Sequence, residues 1–493
     1  INPMLSSVKS WTQPLQRLFA VLISFGILFQ VFTQPAFALN DGQLLVIEAW
    51  NQVNAGYLDP KKFDEIQWKK LRQKALEKPI NNSQQAYSAI EAMLLPLGDP
   101  YTRLLRPVDY EAMKKSNIGS EINGVGLQLG ARKEDGDIVV ISPLEGSPAS
   151  DAGITSGTII KKVNGQSPKQ LGLEATAAKL RGQTGTQVIV ELEQPDNEIK
   201  EISLERRSVD LRPVRTKRIR NESHTFGYLR ITQFSEGVPE QVKEALEELS
   251  GKEIDGLILD LRNNSGGLVS SGLAVADDFL SNMPIVETKK RDSINDPISS
   301  GLETIYDGPM VTLVNEGTAS ASEILAGALQ DYNRAVIIGN EKSFGKGTVQ
   351  NVIDLNRFIS NSSYDLGAIK ITTDKFYRIN GESVQLEGVK SDIVIPDSYK
   401  YIFNGEKDEK NPLEWDKIDA AYFEKWNNKD FVNKISLLTQ SRIDNDDYYS
   451  LINDRAKWLK DRQLNKRISL NCNSYNKFLN QQRDKSKKYE SLT

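Results

Sequence analysis

The chain has 493 residues, 62 Lys and Arg against 66 Asp and Glu, a net charge of −4, 39% apolar and 26% charged residues. That is ordinary globular composition at a length for two to four domains, and the charge balance offers nothing to a nucleic acid. One cysteine, Cys472, excludes an internal disulfide, a CxxC redox pair and a thiolate zinc site, and one histidine, His224, excludes any site built on two imidazoles. No metal or other cofactor is expected. A Ser-His-Asp hydrolase would depend on His224, in the polar stretch Asn221-Glu222-Ser223-His224-Thr225, which reads as a turn.

The first segment carries Lys9 and Arg17 with no acid before Asp41. An apolar stretch from Leu18 to Phe32 follows, and then Ala36-Phe37-Ala38. A basic start, an apolar run of about fifteen residues, short for a bilayer span, and an A-x-A site describe a secretory signal over residues 1–38. An uncleaved anchor is the alternative, and either exports the rest. Leu44, Ile47, Ala49, Trp50 and Val53 then fall on one helical face, and Ala86 to Leu97 repeats the pattern. This small helical domain closes at the turn Gly98-Asp99-Pro100-Tyr101-Thr102.

From about Gly119 to Ser208 the texture changes to short alternating runs at Ile138 to Ile141, Ile159 to Val163 and Val188 to Leu192, with one helical stretch near Leu173 to Leu180. The entry Gly124-Val125-Gly126-Leu127, the run from Ser142-Pro143 to Ala152-Gly153, and Val163-Asn164-Gly165 resemble a PDZ domain. Gly157-Thr158 departs from the usual Gly-Asp, and an unrelated β-barrel is the alternative. In a PDZ domain backbone N–H groups of the glycine-bearing loop hold a peptide's terminal carboxylate, which assigns that role to Gly124, Val125, Gly126 and Leu127.

Beyond Phe226 strands and helices alternate. Strands are expected at Gly227 to Thr232, Ile254 to Leu261, Met310 to Val314 and Ala335 to Ile338, and helices at Pro239 to Leu249, Leu268 to Phe279 and Ala321 to Leu329. After Tyr399 the chain turns polar, with helical runs near Ala420 to Trp426 and Tyr448 to Leu459, and a last twenty residues that read as frayed.

Two segments of the α/β region carry chemistry. Gly317-Thr318-Ala319-Ser320-Ala321-Ser322-Glu323 sets a serine at a strand-to-helix turn, where first-turn N–H groups are unpaired. Ser343-Phe344-Gly345-Lys346-Gly347-Thr348-Val349-Gln350 sets a lysine between glycines. A buried lysine loses the hydration of its charged form, so its neutral amine can take a proton from a serine hydroxyl, the role that histidine cannot fill here. Taken singly, Ser320 also reads as a helix cap and Lys346 as a solvated loop charge.

Ser320-Ala321-Ser322-Glu323, Phe344-Gly345-Lys346-Gly347 with Gln350, Asp260-Leu261-Arg262-Asn263-Asn264-Ser265-Gly266-Gly267, and Gly98-Asp99-Pro100-Tyr101-Thr102 resemble the carboxyl-terminal processing peptidases, or tail-specific proteases, over about Leu39 to Pro396. The resemblance implies Ser320 as nucleophile, Lys346 as general base, Gln350 as the group that orients the amine, and an oxyanion hole from the N–H of Ala321 with that of Gly266 or Gly267. The segment Asn340 to Ser343 is one residue longer than family usage. The front half, with Leu39-Asn40-Asp41 and Tyr57-Leu58-Asp59-Pro60, looks like the cyanobacterial and chloroplast enzymes that trim a photosystem II reaction-centre precursor. The back half, with Lys375 to Gly381, Leu413 to Ala420 and Arg467 to Asn471, looks like bacterial periplasmic tail-specific proteases.

The expected architecture is therefore α/β multidomain: signal peptide 1–38, N-terminal helical domain 39–117, inserted β-rich PDZ domain 118–208, α/β serine peptidase core 209–400, and a helical, partly disordered C-terminal extension 401–493. The expected function is an exported serine endopeptidase that reads the free C-terminus of a protein or peptide and cleaves near it. The periplasm or thylakoid lumen would be its compartment, with membrane-proximal substrates and an adaptor protein left open as partners. A catalytically silent PDZ scaffold that binds protein tails is the alternative.

Overall fold

The computed structural model describes residues 39–493 apart from 119–121, 133–135, 145, 156, 195–197, 210–212, 281, 292, 300, 302, 360–364, 402–404, 410, 426–428, 465–466, 468 and 493. The signal segment expected over residues 1–38 lies outside these. Among the described residues no helix is long and apolar enough to cross a membrane.

The helical domain opens at Asn40, whose side chain accepts from Gln43 N while the Gln43 side chain accepts from Asn40 N, a capping box that starts helix Asp41–Gly56. This helix buries Leu45, Val46, Ala49, Trp50 and Val53, so its inner face is turned slightly from the expected one and leaves Leu44 and Ile47 half-buried. Trp50 stacks on Trp68 of helix Trp68–Leu76, and helix Ser83–Leu94 completes the layer. Gly98, with φ 72°, turns the chain into strand β1 (Arg103–Leu105).

The next module has strands β2 (Ile122–Gly124), β3 (Leu127–Ala131), β4 (Ile138–Pro143), β5 (Ile159–Val163), β6 (Gln187–Glu193), β7 (Ile199–Glu205) and β8 (Arg207–Val209). Strands β3 to β7 form an antiparallel sheet in chain order, and β2 pairs with β8 at its base. Strand β3 is therefore an edge, with helix Leu173–Leu180 packed beside it.

The core contains β9 (Val214–Asn221), β10 (His224–Ile231), β11 (Gly256–Asp260), β12 (Glu287–Lys289), β13 (Met310–Val314), β14 (Val336–Gly339), β15 (Thr348–Asp354), β16 (Ala368–Tyr377) and β17 (Ile393–Val394). One sheet has the order β17-β14-β13-β11-β10-β9, parallel from β10 through β17 with β9 antiparallel at the edge. Helices Val238–Ser250, Val269–Asp277 and Ala321–Asp331 supply Val242, Leu246, Val275 and Leu325 to its buried core. A second sheet is built on β16, which pairs antiparallel with β15 on one side and with β1 and β12 on the other. Ile369 and Ile371 of β16 enter the helical domain's core, joining two regions far apart in sequence.

The polar C-terminal region folds back on this frame. Lys375 Nζ donates to Glu414 O at 2.7 Å and meets the Asp416 carboxylate at 2.9 Å. The helix expected from Ala420 is absent: residues 421–425 are irregular, because Ala421 N donates to Ile379 O at 2.9 Å and Phe423 packs edge-on against Tyr332. Helices Lys429–Asp444, Asp447–Leu464 and Cys472–Lys487 follow. The last of these replaces the expected frayed end, held where Tyr489 packs on Trp458 and Gln482 accepts from the Trp458 indole at 3.0 Å.

Candidate active site

Strand β13 leads through Asn315 to Ala319 into Ser320, the first residue before helix Ala321–Asp331. Ser320 has φ 57° and ψ −118°, a conformation that costs a non-glycine residue about 1–3 kcal/mol and persists only where the surroundings dictate it. They do so here. Ala319 N and Ser322 Oγ both donate to Asn264 O, at 3.0 and 2.9 Å, and Thr318 Oγ1 donates to Leu261 O at 2.8 Å. Ser320 is only 8% exposed.

The partner loop runs from Asp260 to Gly267 at the end of β11. Asp260 is fully buried and accepts from Arg262, Arg230 and Tyr228. Burial opposes its charge, but the hydrogen bonds from Arg262 outweigh that and hold the carboxyl below its usual range. A Cβ on Gly266 would stand 2.8 Å from both Ala319 O and Ser320 Cβ, so only glycine lets this backbone approach the serine. The Gly266 N–H is committed to Asn264 Oδ1 at 2.9 Å. Those of Gly267 and Ala321 meet no acceptor among the described residues.

Glu323 joins this elbow to the lysine loop. It is fully buried, and its two oxygens collect Ser320 N at 2.9 Å, Lys346 N at 2.9 Å, Gly345 N at 2.7 Å and Ser343 Oγ at 2.5 Å. Burial pushes its carboxyl up to about 7 against the pull of those donors. Lys346 Nζ donates to Gln350 Oε1 at 2.7 Å and lies 4.4 Å from the centre of the Tyr101 ring. Gln350 is held by its own amide nitrogen, 3.0 Å from Thr348 Oγ1, which turns its oxygen to the lysine. Burial lowers the Lys346 amine below an ordinary lysine, opposed by the charges of Glu406, Asp99 and Glu323. No hydrogen bond joins Ser320 Oγ to Lys346 Nζ among the described residues. Tyr101 in turn donates its hydroxyl to Glu406, which also accepts from Gln385 Nε2 at 3.1 Å, while Gln385 Oε1 accepts from Gly347 N at 2.8 Å.

Gly266 and Ala321 thus lie against Ser320, Gln350 holds Lys346, and Glu323 ties the backbones of the two loops together. In the longer segment Asn340 to Ser343, Ser343 N donates to Val389 O at 3.0 Å. Gly124, Val125, Gly126 and Leu127 lie apart, linking β2 to β3, with Gly126 at φ 74° against Ser147. Gln128 of β3 reaches the loop beside the serine, donating to Ser265 Oγ at 3.1 Å. His224 begins β10, exposed and paired with Asn221, about 20 Å along the strand from the end where Arg230 meets Asp260. Glu323, Tyr101, Gln385 and Glu406 had no assigned role in the sequence reading. Glu323 had a legible signal in the S-x-x-E spacing of a capping box, and Tyr101 stood in a motif of the resemblance, whereas Gln385 and Glu406 had none.

Comparison with known proteins agrees with this arrangement. Peptidase family S41 matches residues 225–395, the PDZ domain matches 112–193, and the C-terminal domain of tail specific protease (DUF3340) matches 399–493. The carboxyl-terminal-processing protease of Synechocystis sp. is 36% identical over 389 residues, 78% of this chain and 87% of that protein. The tail-specific protease of Haemophilus influenzae is 31% identical, over 76% of this chain and 55% of that protein. The solved structure of a photosystem II D1 C-terminal processing protease superposes with a TM-score of 0.62 at 34% identity, covering 72% of this chain and 93% of that one. With residues 399–493 matching the C-terminal domain of tail specific protease and 78% of the chain matching a processing protease, the mixed resemblance read from the sequence is borne out. The chain belongs to the carboxyl-terminal-processing proteases of peptidase family S41, serine-type enzymes that act on protein or peptide substrates.

Proposed function

We propose that this chain cleaves protein tails by a Ser320–Lys346 dyad after its PDZ domain has read the free C-terminus. Ser320 Oγ attacks the scissile carbonyl carbon as its proton passes to the neutral Lys346 amine. The oxyanion is received by the N–H groups of Ala321 and Gly267, the Gly266 N–H being occupied. The protonated lysine then returns a proton to the leaving amine, and water resolves the ester by the same route in reverse. The observation that carries this reading is the Glu323 carboxylate. It ties the Ser320 backbone and the Gly345-Lys346 backbone to one buried anchor, so two loops that sequence separates are held as one unit.

Substrate entry follows from β3. As an edge strand it accepts an added strand, its loop at Gly124 to Leu127 receives the terminal carboxylate, and Gln128 sets it beside Ser265. We place the domain limits at 39–117, 118–208, 209–400 and 401–493, and the protein outside the cytoplasm, in the periplasm or thylakoid lumen. A precursor tail, such as that of a photosystem II reaction-centre subunit, or a tail marked for periplasmic degradation would be its substrate. Mass spectrometry of products from a panel of tail peptides tests this. Ser320→Ala and Lys346→Ala should each abolish products while tail binding persists. Products from either variant would sink the dyad, and tail binding with no cleavage by the wild type would favour the silent scaffold.

A further inference from the structure

Lys370 sits in β16 between Arg103 of β1 and Val352 of β15. Residues directly opposite in antiparallel strands share a face, as do residues two apart in one strand. Lys370 therefore shares a face with Arg103, with Thr372 and with Gln350, which stands opposite Thr372. Ile369 and Ile371 turn the other way, into the helical domain. Gln350 holds Lys346 Nζ at 2.7 Å, and its amide nitrogen lies 3.4 Å from Thr372 Oγ1. Two strand residues span about 7 Å, a distance that the four-carbon stem of a lysine covers. The second lysine is thus placed in the compartment of the first.

No hydrogen bond or ion pair of the Lys370 amine is found among the described residues. The charged groups facing it are Lys346, Arg103 and Asp99, and the Asp99 carboxylate is committed to Tyr101 N at 2.9 Å and Thr102 Oγ1 at 2.7 Å. Around Lys346 stand Glu406, Asp99, Glu323 and Arg103, with Glu406 and Glu323 engaged as described. Burial and the two neighbouring cations push the Lys370 amine down to about 7.

We propose that Lys370 is a positioning residue for charge in the reaction: it shares one proton with Lys346, so that Lys346 is neutral when Ser320 needs a base. At an effective dielectric near 20, two ammonium groups repel by about one to two pKa units at separations of roughly 7–10 Å, so a pair sharing one buried compartment holds its second proton only weakly. Lys370 forms no bond to substrate and takes no proton from Ser320. The inference rests on the dyad assigned above.

The test is the pH dependence of kcat/KM on one tail peptide for wild type, Lys370→Met and Lys370→Arg, with Ser320→Ala and Lys346→Ala as controls and thermal melting as the check on folding. A permanent cation in Lys370→Arg should move the acid-limb midpoint below wild type, and Lys370→Met should move it about one to two units above. Near neutral pH the Met variant should be at least tenfold slower, recovering to within a few-fold at alkaline pH. Glu323 is common to all three proteins and cannot produce that ordering. An unmoved midpoint, a lost plateau alone, or a change confined to KM overturns the proposal, the last by making Lys370 a substrate contact. If Lys370→Met does not fold, Lys370→Arg decides alone by whether its midpoint falls. Turnover by either control would instead overturn the dyad itself, whatever the Lys370 series does.

Discussion

At the scale of single residues the site is an exchange of burial for reactivity. Lys346 is useful as a base only when neutral, and it is burial that lowers its pKa, against the pull of Glu406, Asp99 and Glu323. Lys346→Arg should therefore fail as completely as Lys346→Ala, since a guanidinium stays protonated at any usable pH, whereas His224→Ala should remain within about twofold of wild type in a peptide assay. The pH profile follows with a definite sign. Above its lowered pKa Lys346 is neutral, and above about 7 Glu323 is ionised and can accept from all its donors. Both titrations push the same way, so single-turnover acylation should rise with pH to a plateau, and a rate falling through that range would contradict the assignment. Ser320 and Lys346 stood out because each lies in a short run of small residues, whereas Gln350 was named only through the family resemblance. The contacts of Tyr101, Gln385 and Glu406 were not legible, because their partners sit 305 and 21 positions away from one another in the chain and only the fold makes them neighbours.

At the scale of elements, the runs that alternate at a clear period came out as expected: Met310 to Val314, Ile159 to Val163 and Leu173 to Leu180 are strand, strand and helix with those limits. Element limits went astray where tertiary partners decide. Residues 421–425 carry helical spacing but spend their backbone and apolar side chains on the turn at Ile379 and on Tyr332. The sheet built on β16 was likewise invisible, since its register joins Arg103 to Lys370. The element with the most direct functional consequence is the edge strand β3 and the loop that precedes it. If that loop grips a terminal carboxylate through backbone N–H groups, a peptide acid should be cleaved about ten- to a hundredfold better in kcat/KM than its C-terminal amide. This follows from about 1.5–3 kcal/mol for a charge-assisted hydrogen bond. Removing residues 119–208 should erase the preference, and equal cleavage of acid and amide by the intact chain would mean that tails are not read through their carboxylate.

At the scale of the whole molecule the C-terminal region contributes to the surroundings of Lys346 rather than trailing from them. Glu406, fully buried, accepts from Tyr101, whose ring covers the Lys346 amine, and from Gln385, which holds Gly347 N. Glu406→Ala should lower kcat by at least about tenfold while leaving the affinity of the PDZ domain for a tail peptide unchanged, since each lost hydrogen bond to a charged group is worth about 1.5–3 kcal/mol. Unchanged kcat would make the contact purely structural. The polar composition after Tyr399 gave no sign of this role, because a single buried carboxylate in a polar stretch looks like any solvated one. The central claim, that Ser320 is the nucleophile and Lys346 its base, is tested most directly by trapping the acyl-enzyme. Intact-mass and peptide-mapping analysis after reaction with an activated peptide ester should locate one adduct on Ser320, forming faster as pH rises in the wild type and undetectable in Lys346→Arg. An adduct on another residue, or one that forms on Ser320 at the wild-type rate in Lys346→Arg, would contradict it.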